Sequence, residues 1–333
     1  MIKKKERIYM KCPAPVIFGT SCLGNLYKAI PFETKLAIAA EWFKAFGRPV
    51  IDSAGKYGAG LSLECIGKAL SELGKKPGDL LISVKLGWRR SRRLEPGEEP
   101  TFEPGAWQGL EWDAVQDISR DGILRCFDEA KRLLGGFPID LVSVHDPDEY
   151  LAAKPGSSAK DDILGAYESL FDLKSRGEAA GVGIGSKDWR VIRDLWREGV
   201  KFDWAMFACA PTLIVHPPEL LDFVKELKSA GVLLIDSAVF NGGFLTGGDM
   251  IDYRKADPAR DAGAFAFRER YLALCSRLGL DPAAPAVEYA YRLGFDSVAL
   301  NTSSPARILR NAAYGSFRAP EEFWRELSVE GAF

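Results

Sequence analysis

Four ionisable side chains stand where apolar runs end. Asp52 follows Val50-Ile51, and Tyr57 lies five residues on, in the loop Ser53-Ala54-Gly55-Lys56-Tyr57-Gly58-Ala59-Gly60. Lys85 closes the run Leu80 to Val84, and His145 closes the run Ile139 to Val144. Together these types support proton transfer to or from a carbonyl or alcohol. A tyrosine phenol titrates near ~10 in water. An ammonium beside it favours the phenolate and lowers that value, and an aspartate beside the lysine keeps the lysine charged and fixed. A histidine nearby can hydrogen-bond a substrate oxygen, which completes an acid/base set of tuned pKa. Each residue also has a plainer use. Asp52 suits a turn or a helix N-cap, Tyr57 a rim aromatic, and His145 a satisfied structural position. Lys85 is harder to explain that way, because lysine is seldom buried at the end of an apolar strand without a partner.

The elements that carry these residues alternate. Short β-rich runs begin at Val16, Pro49, Leu80, Ile139, Val182, Phe202, Val232 and Ser297. Between them, apolar residues recur at helical spacing over 34–46, 62–73, 121–134, 161–174, 189–198, 218–230, 264–278, 285–293 and 306–314. Eight strands alternating with helices in one chain predict an α/β fold, a (β/α)8 TIM barrel rather than a doubly wound sheet. The strand runs are continuously apolar, as parallel strands buried on both faces require. The whole chain, 1–333, reads as a single barrel domain with an appended C-terminal helix at about 318–330, centred on Pro320 to Leu327. Long loops follow the third strand (Gly87 to Ile118) and the seventh (Thr246 to Gly263). In a barrel both emerge at the C-terminal face of the strands, where active sites lie, and strands two, three and four bring the four ionisable groups to that same mouth.

Composition excludes several other classes. At 47% hydrophobic and 27% charged, the chain is neither disordered nor fibrous. A net charge of -2 carries no basic excess for nucleic acid or an anionic membrane, and no 18-residue apolar stretch offers a membrane span. The N-terminal MIKKKERIYMKC lacks the apolar core of a secretory signal. No two of the six cysteines lie within four residues of each other, so there is no CxxC metal or redox motif, and two histidines make a His-rich metal site unexpected. Free thiols in a reducing, cytoplasmic setting follow, with a small-molecule partner and a monomer or small homo-oligomer. His216, in Val215-His216-Pro217-Pro218, reads as structural.

The sequence resembles the aldo-keto reductase superfamily. Ile51-Asp52-Ser53-Ala54-Gly55-Lys56-Tyr57-Gly58 is similar to its D-[TS]-A-x-x-Y-G signature, Val84-Lys85 to its strand-end lysine, and Val144-His145 to its strand-end histidine. The likeness runs from about Val16 to Asn311. Within the superfamily it points to the branch holding D-threo-aldose (L-fucose) and pyridoxal dehydrogenases. There, Gly19-Thr20-Ser21-Cys22-Leu23-Gly24-Asn25-Leu26-Tyr27 resembles a G-T-S-x-L-G-N-L-Y opening, Tyr57-Gly58-Ala59-Gly60-Leu61-Ser62 resembles Y-G-x-G-x-S, and His145-Asp146-Pro147-Asp148 resembles H-D-P-D. The resemblance implies an NAD(P)-dependent oxidoreductase with Asp52, Tyr57, Lys85 and His145 as its catalytic set. Hydride would pass between nicotinamide and a carbonyl or hemiacetal carbon of an aldose or related aldehyde.

No GxGxxG follows the first strand, so a Rossmann site is not indicated. The resemblance instead implies an extended dinucleotide, NADP or NAD, across the barrel mouth. Gly19, Thr20, Ser21 and Asp52 would contact it from the first two strands. Ser237, Ala238, Val239, Asn241 and Gly243 belong to a segment similar to the family's pyrophosphate loop, where glycines let backbone N–H groups approach phosphate; a plain Asn-Gly turn is the alternative. Asn301 to Asn311 resembles the motif K-S-x-T-P-x-R-I-x-x-N, with Asn301, Ser303, Arg307 and Asn311 as contacts and Ser304-Pro305 as an N-cap followed by Pro at the first helical position. Three departures stand out. Asn301 replaces a lysine common in NADPH-specific members. Ser186 or Lys187 stands where an asparagine would hold the carboxamide. Near Phe207, no tyrosine is available to stack on nicotinamide. The first long loop carries Trp88, Trp107 and Trp112, whose rings suit a polar ring or simply anchor the loop; for substrate, Trp88 and Trp112 join Tyr57 and His145. The run Trp88-Arg89-Arg90-Ser91-Arg92-Arg93 could attract an anion or be solvated. Two other readings remain open: a Schiff-base aldolase using Lys85, and a non-catalytic binding barrel.

Overall fold

The computed structural model describes residues 14–328. Eight strands close into a parallel barrel. In chain order they are β1 (Val16–Gly19), β2 (Val50–Ala54), β3 (Leu81–Leu86), β4 (Leu141–His145), β5 (Gly181–Ser186), β6 (Trp204–Ala208), β7 (Leu233–Ser237) and β8 (Ser297–Leu300). Each neighbours the next in sequence, and β8 closes on β1. Among the described residues no helix is long and apolar enough to cross a membrane.

Strand register decides which side chains share a face, because successive residues point to opposite faces. Ile17, Val50, Trp204, Met206 and Ile235 fill the barrel interior as one buried cluster. The alternate residues, among them Phe18, Ile51, Val84, Val142, Ile184 and Phe207, pack outward against the helices in the main core. β5 carries glycines at its inward positions for a steric reason. A Cβ on Gly183 would stand 2.2 Å from the Trp204 ring, and one on Gly185 would stand 2.8 Å from Cδ of Lys85. The missing side chains make room for the largest ring in the barrel and for the strand-end lysine.

The helices lie within a few residues of their predicted spans, from Phe32–Ala45 to Ile308–Ala313. Capping sets some of the ends. Ser119 Oγ accepts from Gly122 N at 3.0 Å ahead of Arg120–Leu133, and Asp188 caps Trp189–Arg197 through Arg190 N at 2.9 Å. Ser304 does precede Pro305 at the first position of a short 3-10 turn, Pro305–Arg307, but its side chain makes no capping bond. The appended helix spans Glu321–Leu327 and buries Phe323, Trp324 and Leu327 in a second cluster with Tyr271 and Tyr289; residues 329 and 330 of its expected span lie outside the described residues.

Three features exceed the sequence reading. The long loop after β3 contains an antiparallel hairpin, Trp88–Arg93 against Trp112–Gln116. Its first strand is nearly all arginine, so it lacks the apolar signal of a strand. A short helix, Pro147–Ala153, follows β4 directly. The loop after β7 holds a smaller hairpin of Met250–Ile251 with Arg254–Lys255, reached through a 3-10 segment at Asn241–Thr246.

Candidate active site

The barrel's C-terminal mouth gathers the four strand-end groups. Asp52 pairs in register with Ser83, and Lys85 pairs with Ser143, so Asp52, Ser83, Lys85 and His145 all face inward near the top layer. Lys85 Nζ binds Asp52 Oδ2 in a close, fully buried ion pair. Ser83 Oγ donates to the other oxygen, Oδ1, at 3.0 Å. Sequence reasoning missed Ser83, although it stands two residues before Lys85 on the same strand face. Tyr57 is held over this pair, with Lys85 Nζ 5.0 Å from its ring centroid and the His145 ring 5.7 Å away, edge-on.

The charges are ordered by burial and pairing. Burial favours neutral Lys85, but Asp52 and Tyr57 outweigh it and hold the ammonium above the ordinary lysine range. Burial pushes the Tyr57 phenol up, and the downward pull of Lys85 does not cancel it, because Asp52 screens that lysine and itself pushes upward. The expected net lowering of the phenol is therefore absent. Burial, then the charges of Lys85 and Lys56, hold His145 well below the usual histidine value, so the ring is neutral at pH 7. Its Nδ1 is buried and has no hydrogen-bond partner among the described residues.

Two cavities meet at Tyr57. One of about 320 Å³ is lined by Tyr57, Lys85 and His145, with Leu26, Tyr27, Trp107, Met206 and Tyr253 as its apolar and aromatic wall. A groove of about 580 Å³ leads from Asp52 and Tyr57 to Arg307, Arg310 and Asn311. Tyr27, Tyr57, Met206, Ser237 and Tyr253 line both. Trp107 enters because Leu26 and Trp107 form an isolated bridge and Tyr27 N donates to Ala106 O at 2.6 Å, tying the long loop to the segment after β1. Lys56, on Tyr57's flank, faces the same cavity.

The residues expected at the cofactor divide. Gly19, Thr20, Ser21, Asp52, Ser237, Ala238, Val239, Gly243, Asn301, Arg307 and Asn311 line the groove. Asn241 is fully buried and ties the loop to Asp252, donating to Oδ1 at 3.0 Å. Ser303 is exposed outside the groove. Ser186 and Lys187 line the smaller cavity instead. Ser186 Oγ is engaged by Asp148 Oδ1 at 2.6 Å, and Lys187 by Glu149 at 2.7 Å. Asn301 is tied to Ser21 Oγ at 2.9 Å, which joins β8 to the segment after β1. Phe207 faces the helices, against Phe223 and Phe295, so it cannot meet a nicotinamide ring; Tyr253 of the loop after β7 joins Tyr27 and Tyr57 as an aromatic beside both cavities. Nothing in the local sequence marks Tyr253, which reaches the site only through the path of its loop.

A dinucleotide suits this groove. Gly243 has φ 95 and open space where a Cβ would stand, so backbone can approach a pyrophosphate. Arg307 is exposed and has no carboxylate partner among the described residues, which leaves its guanidinium for phosphate. By contrast, the arginine run at Arg89 to Arg93 is neutralised: Arg89 pairs with Asp117, Arg90 with Glu64, Arg92 with Glu98 and Arg93 with Glu111. Trp88 and Trp112 line neither cavity; Trp112 sits under Arg90 and Arg93 in the hairpin.

A model of the Aldo/keto reductase family matches residues 15–329. A pyridoxal 4-dehydrogenase of Microbacterium luteolum is 30% identical over 327 residues, covering 94% of this chain and 92% of the relative. A D-threo-aldose 1-dehydrogenase of Pseudomonas sp is 27% identical over 335 residues, covering 93% and 92%. The solved glycerol dehydrogenase of Gluconobacter oxydans superposes with a TM-score of 0.67 at 19% identity over 94% of this chain and 90% of that one, a likeness of fold.

Proposed function

The chain belongs to the aldo/keto reductase family, and from that premise we propose that it oxidises the hemiacetal carbon of an aldose or related aldehyde. As a member it is an NAD(P)-dependent oxidoreductase acting on an aldehyde-type substrate. An aldose and pyridoxal, named for the two relatives, both carry an aldehyde and a hydroxyl that can close on it, so a cyclic hemiacetal is the form they share. The observation that carries the reading is Tyr57 at the junction of the cavity and the groove, backed by the Lys85–Asp52 pair.

A nicotinamide dinucleotide bound in the groove supplies the hydride acceptor or donor. Every other task falls to side chains. The Tyr57 oxygen takes the hydroxyl proton in oxidation and returns it in reduction. Lys85 stabilises the phenolate, Asp52 holds Lys85 charged and positioned, and Ser83 fixes the second Asp52 oxygen. Neutral His145 orients the substrate oxygen through its ring N–H. The Schiff-base alternative is disfavoured, since a lysine held charged by a buried aspartate is no amine nucleophile. The five described cysteines are free thiols, which suits a reducing cytoplasm.

The test is direct. The pure protein is incubated with NAD or NADP and a panel of aldoses and aldehydes, while absorbance of the reduced cofactor is followed. Cofactor-dependent turnover of at least one aldose or hydroxy-aldehyde is expected. Turnover without any nicotinamide, or none with the whole panel, would overturn the proposal. In the same assay Arg307→Ala should raise KM for NADP more than for NAD, because only NADP has a 2′-phosphate for that guanidinium.

A further inference from the structure

Beside the Tyr57–His145 pair, the cavity wall is a cage of charges that the proton-transfer chemistry does not use. Lys56 and Lys187 share three carboxylates. Lys56 Nζ stands 2.6 Å from Glu149 Oε2, 2.8 Å from Glu103 Oε1 and 3.4 Å from Asp146 Oδ2. Lys187 Nζ stands 2.7 Å from Glu149 Oε1, 3.5 Å from Asp146 Oδ2 and 3.6 Å from Glu103 Oε1. Lys56 and Asp146 are almost fully buried, and Lys56, Glu103, Asp146 and Lys187 all line the cavity.

Donor arithmetic gives the cage its meaning. An ammonium has three N–H bonds. Lys56 sets its own against Glu149, Glu103 and Asp146, whereas Lys187 hydrogen-bonds Glu149 and has Asp146 and Glu103 only at ion-pair distance. Both ammonium charges are thus already paired with carboxylates. The carboxylates are less fully used, because each oxygen has two lone pairs; among the described residues the one other donor on Glu103 is Trp107 Nε1, at 2.8 Å. The wall is therefore rich in acceptors, which hydroxyl groups satisfy. Charge points the same way. Lys56, Lys85 and Lys187 stand against Asp52, Glu103, Asp146 and Glu149, which leaves one negative charge in excess, and Asp148 lies just behind Ser186. A phosphate or carboxylate on the substrate would face that excess negative charge and would meet only lysines already paired with carboxylates. The facing wall of Tyr27, Trp107 and Tyr253 offers ring faces to an uncharged ring.

We propose that the Lys56–Lys187–Glu103–Asp146–Glu149 cage selects neutral, hydroxyl-rich aldehydes or hemiacetals and rejects their phosphorylated and carboxylate-bearing counterparts. The inference rests on the oxidoreductase reading of the same site and names its substrate class. Glu103 and Glu149 act as specificity residues, since their charge, and not the chemistry at Tyr57, sets the discrimination.

The experiment compares matched pairs: free aldoses against the same aldoses as 6-phosphates and as uronic acids. Two readouts are taken, kcat/KM with NAD or NADP, and binding followed by quenching of tryptophan fluorescence, since Trp107 lines the cavity. The native protein should prefer the neutral member by about 100-fold or more. Glu103→Gln and Glu149→Gln, near-isosteric and each removing one negative charge, should each lower that ratio about tenfold, chiefly through KM of the anion. Equal or better use of the anions by the native protein, or ratios unmoved in both variants, would overturn the cage. Neutral-over-anion binding without turnover of either member would sink the oxidoreductase reading and leave the selectivity standing.

Discussion

Tyr57 decides the direction in which pH acts. Its phenol is pushed above the ordinary value by burial, with Lys85 pulling against that. At neutral pH it is therefore protonated, the form that reduction needs. Reduction should be flat in pH up to the alkaline range and fall beyond it. Oxidation needs the phenolate, so its kcat/KM should climb about tenfold per pH unit from neutrality towards pH 10. An oxidation profile that instead plateaued below pH 8 would mean that a different base takes the proton. Tyr57→Phe should cost about 10²- to 10⁴-fold in turnover while cofactor binding, followed by fluorescence, stays as in the native chain. The four ionisable types and their spacing are readable from the residue string because each stands at or just beyond the end of an apolar strand. Ser83 and Glu103 are not, since a serine and a glutamate carry no local mark of the aspartate and lysines that they meet; and of the three loop tryptophans, the string does not say that Trp107, rather than Trp88 or Trp112, lines the cavity.

At the scale of elements, the site depends on backbone packed without side chains. Gly24 ends the 3-10 turn Ser21–Gly24, and a Cβ there would stand 2.6 Å from the Tyr57 carbonyl. Gly58, at φ 63, meets Gly24 O from the other side, a left-handed position that a glycine takes without penalty. The two glycines thus seat the Tyr57 loop against the turn after β1. Gly24→Ala must move the Tyr57 backbone. We expect about 1–3 kcal/mol of lost stability from overpacking, read by chemical denaturation, and a fall in kcat larger than the change in KM for cofactor. A native kcat in a folded Gly24→Ala protein would show that Tyr57 tolerates the shift. Element positions were legible from periodicity to within a few residues. The hairpin Trp88–Arg93 with Trp112–Gln116 was not, because its arginines are held by partners as distant as Glu64 and Asp117 rather than by an apolar face.

For the molecule as a whole, closure of the sheet converts eight separate strand ends into one mouth. The interior below that mouth is plugged by Trp204, fully buried between inward glycines and apolar neighbours. Trp204→Ala should cost about 3–5 kcal/mol, the usual loss for emptying a large buried ring, measured as a drop in the denaturation midpoint. Its Nε1 is itself without a partner among the described residues, so no hydrogen bond is lost with the ring. Stability unchanged by that substitution would argue against a close-packed barrel interior.

Periodicity, strand-end residue types and glycine-rich turns are local properties. They are written in the order of amino acids, which is why the barrel, the Asp52–Tyr57–Lys85–His145 set and the groove segments could be read directly. Contacts between loops are different. The partners of Lys56 and Lys187, the entry of Trp107 and Tyr253 into the cavity, and the neutralising of the arginine hairpin each join segments far apart in the chain. Their energies arise only when closure of the barrel brings those segments within hydrogen-bonding reach, so folding in three dimensions alone decides them.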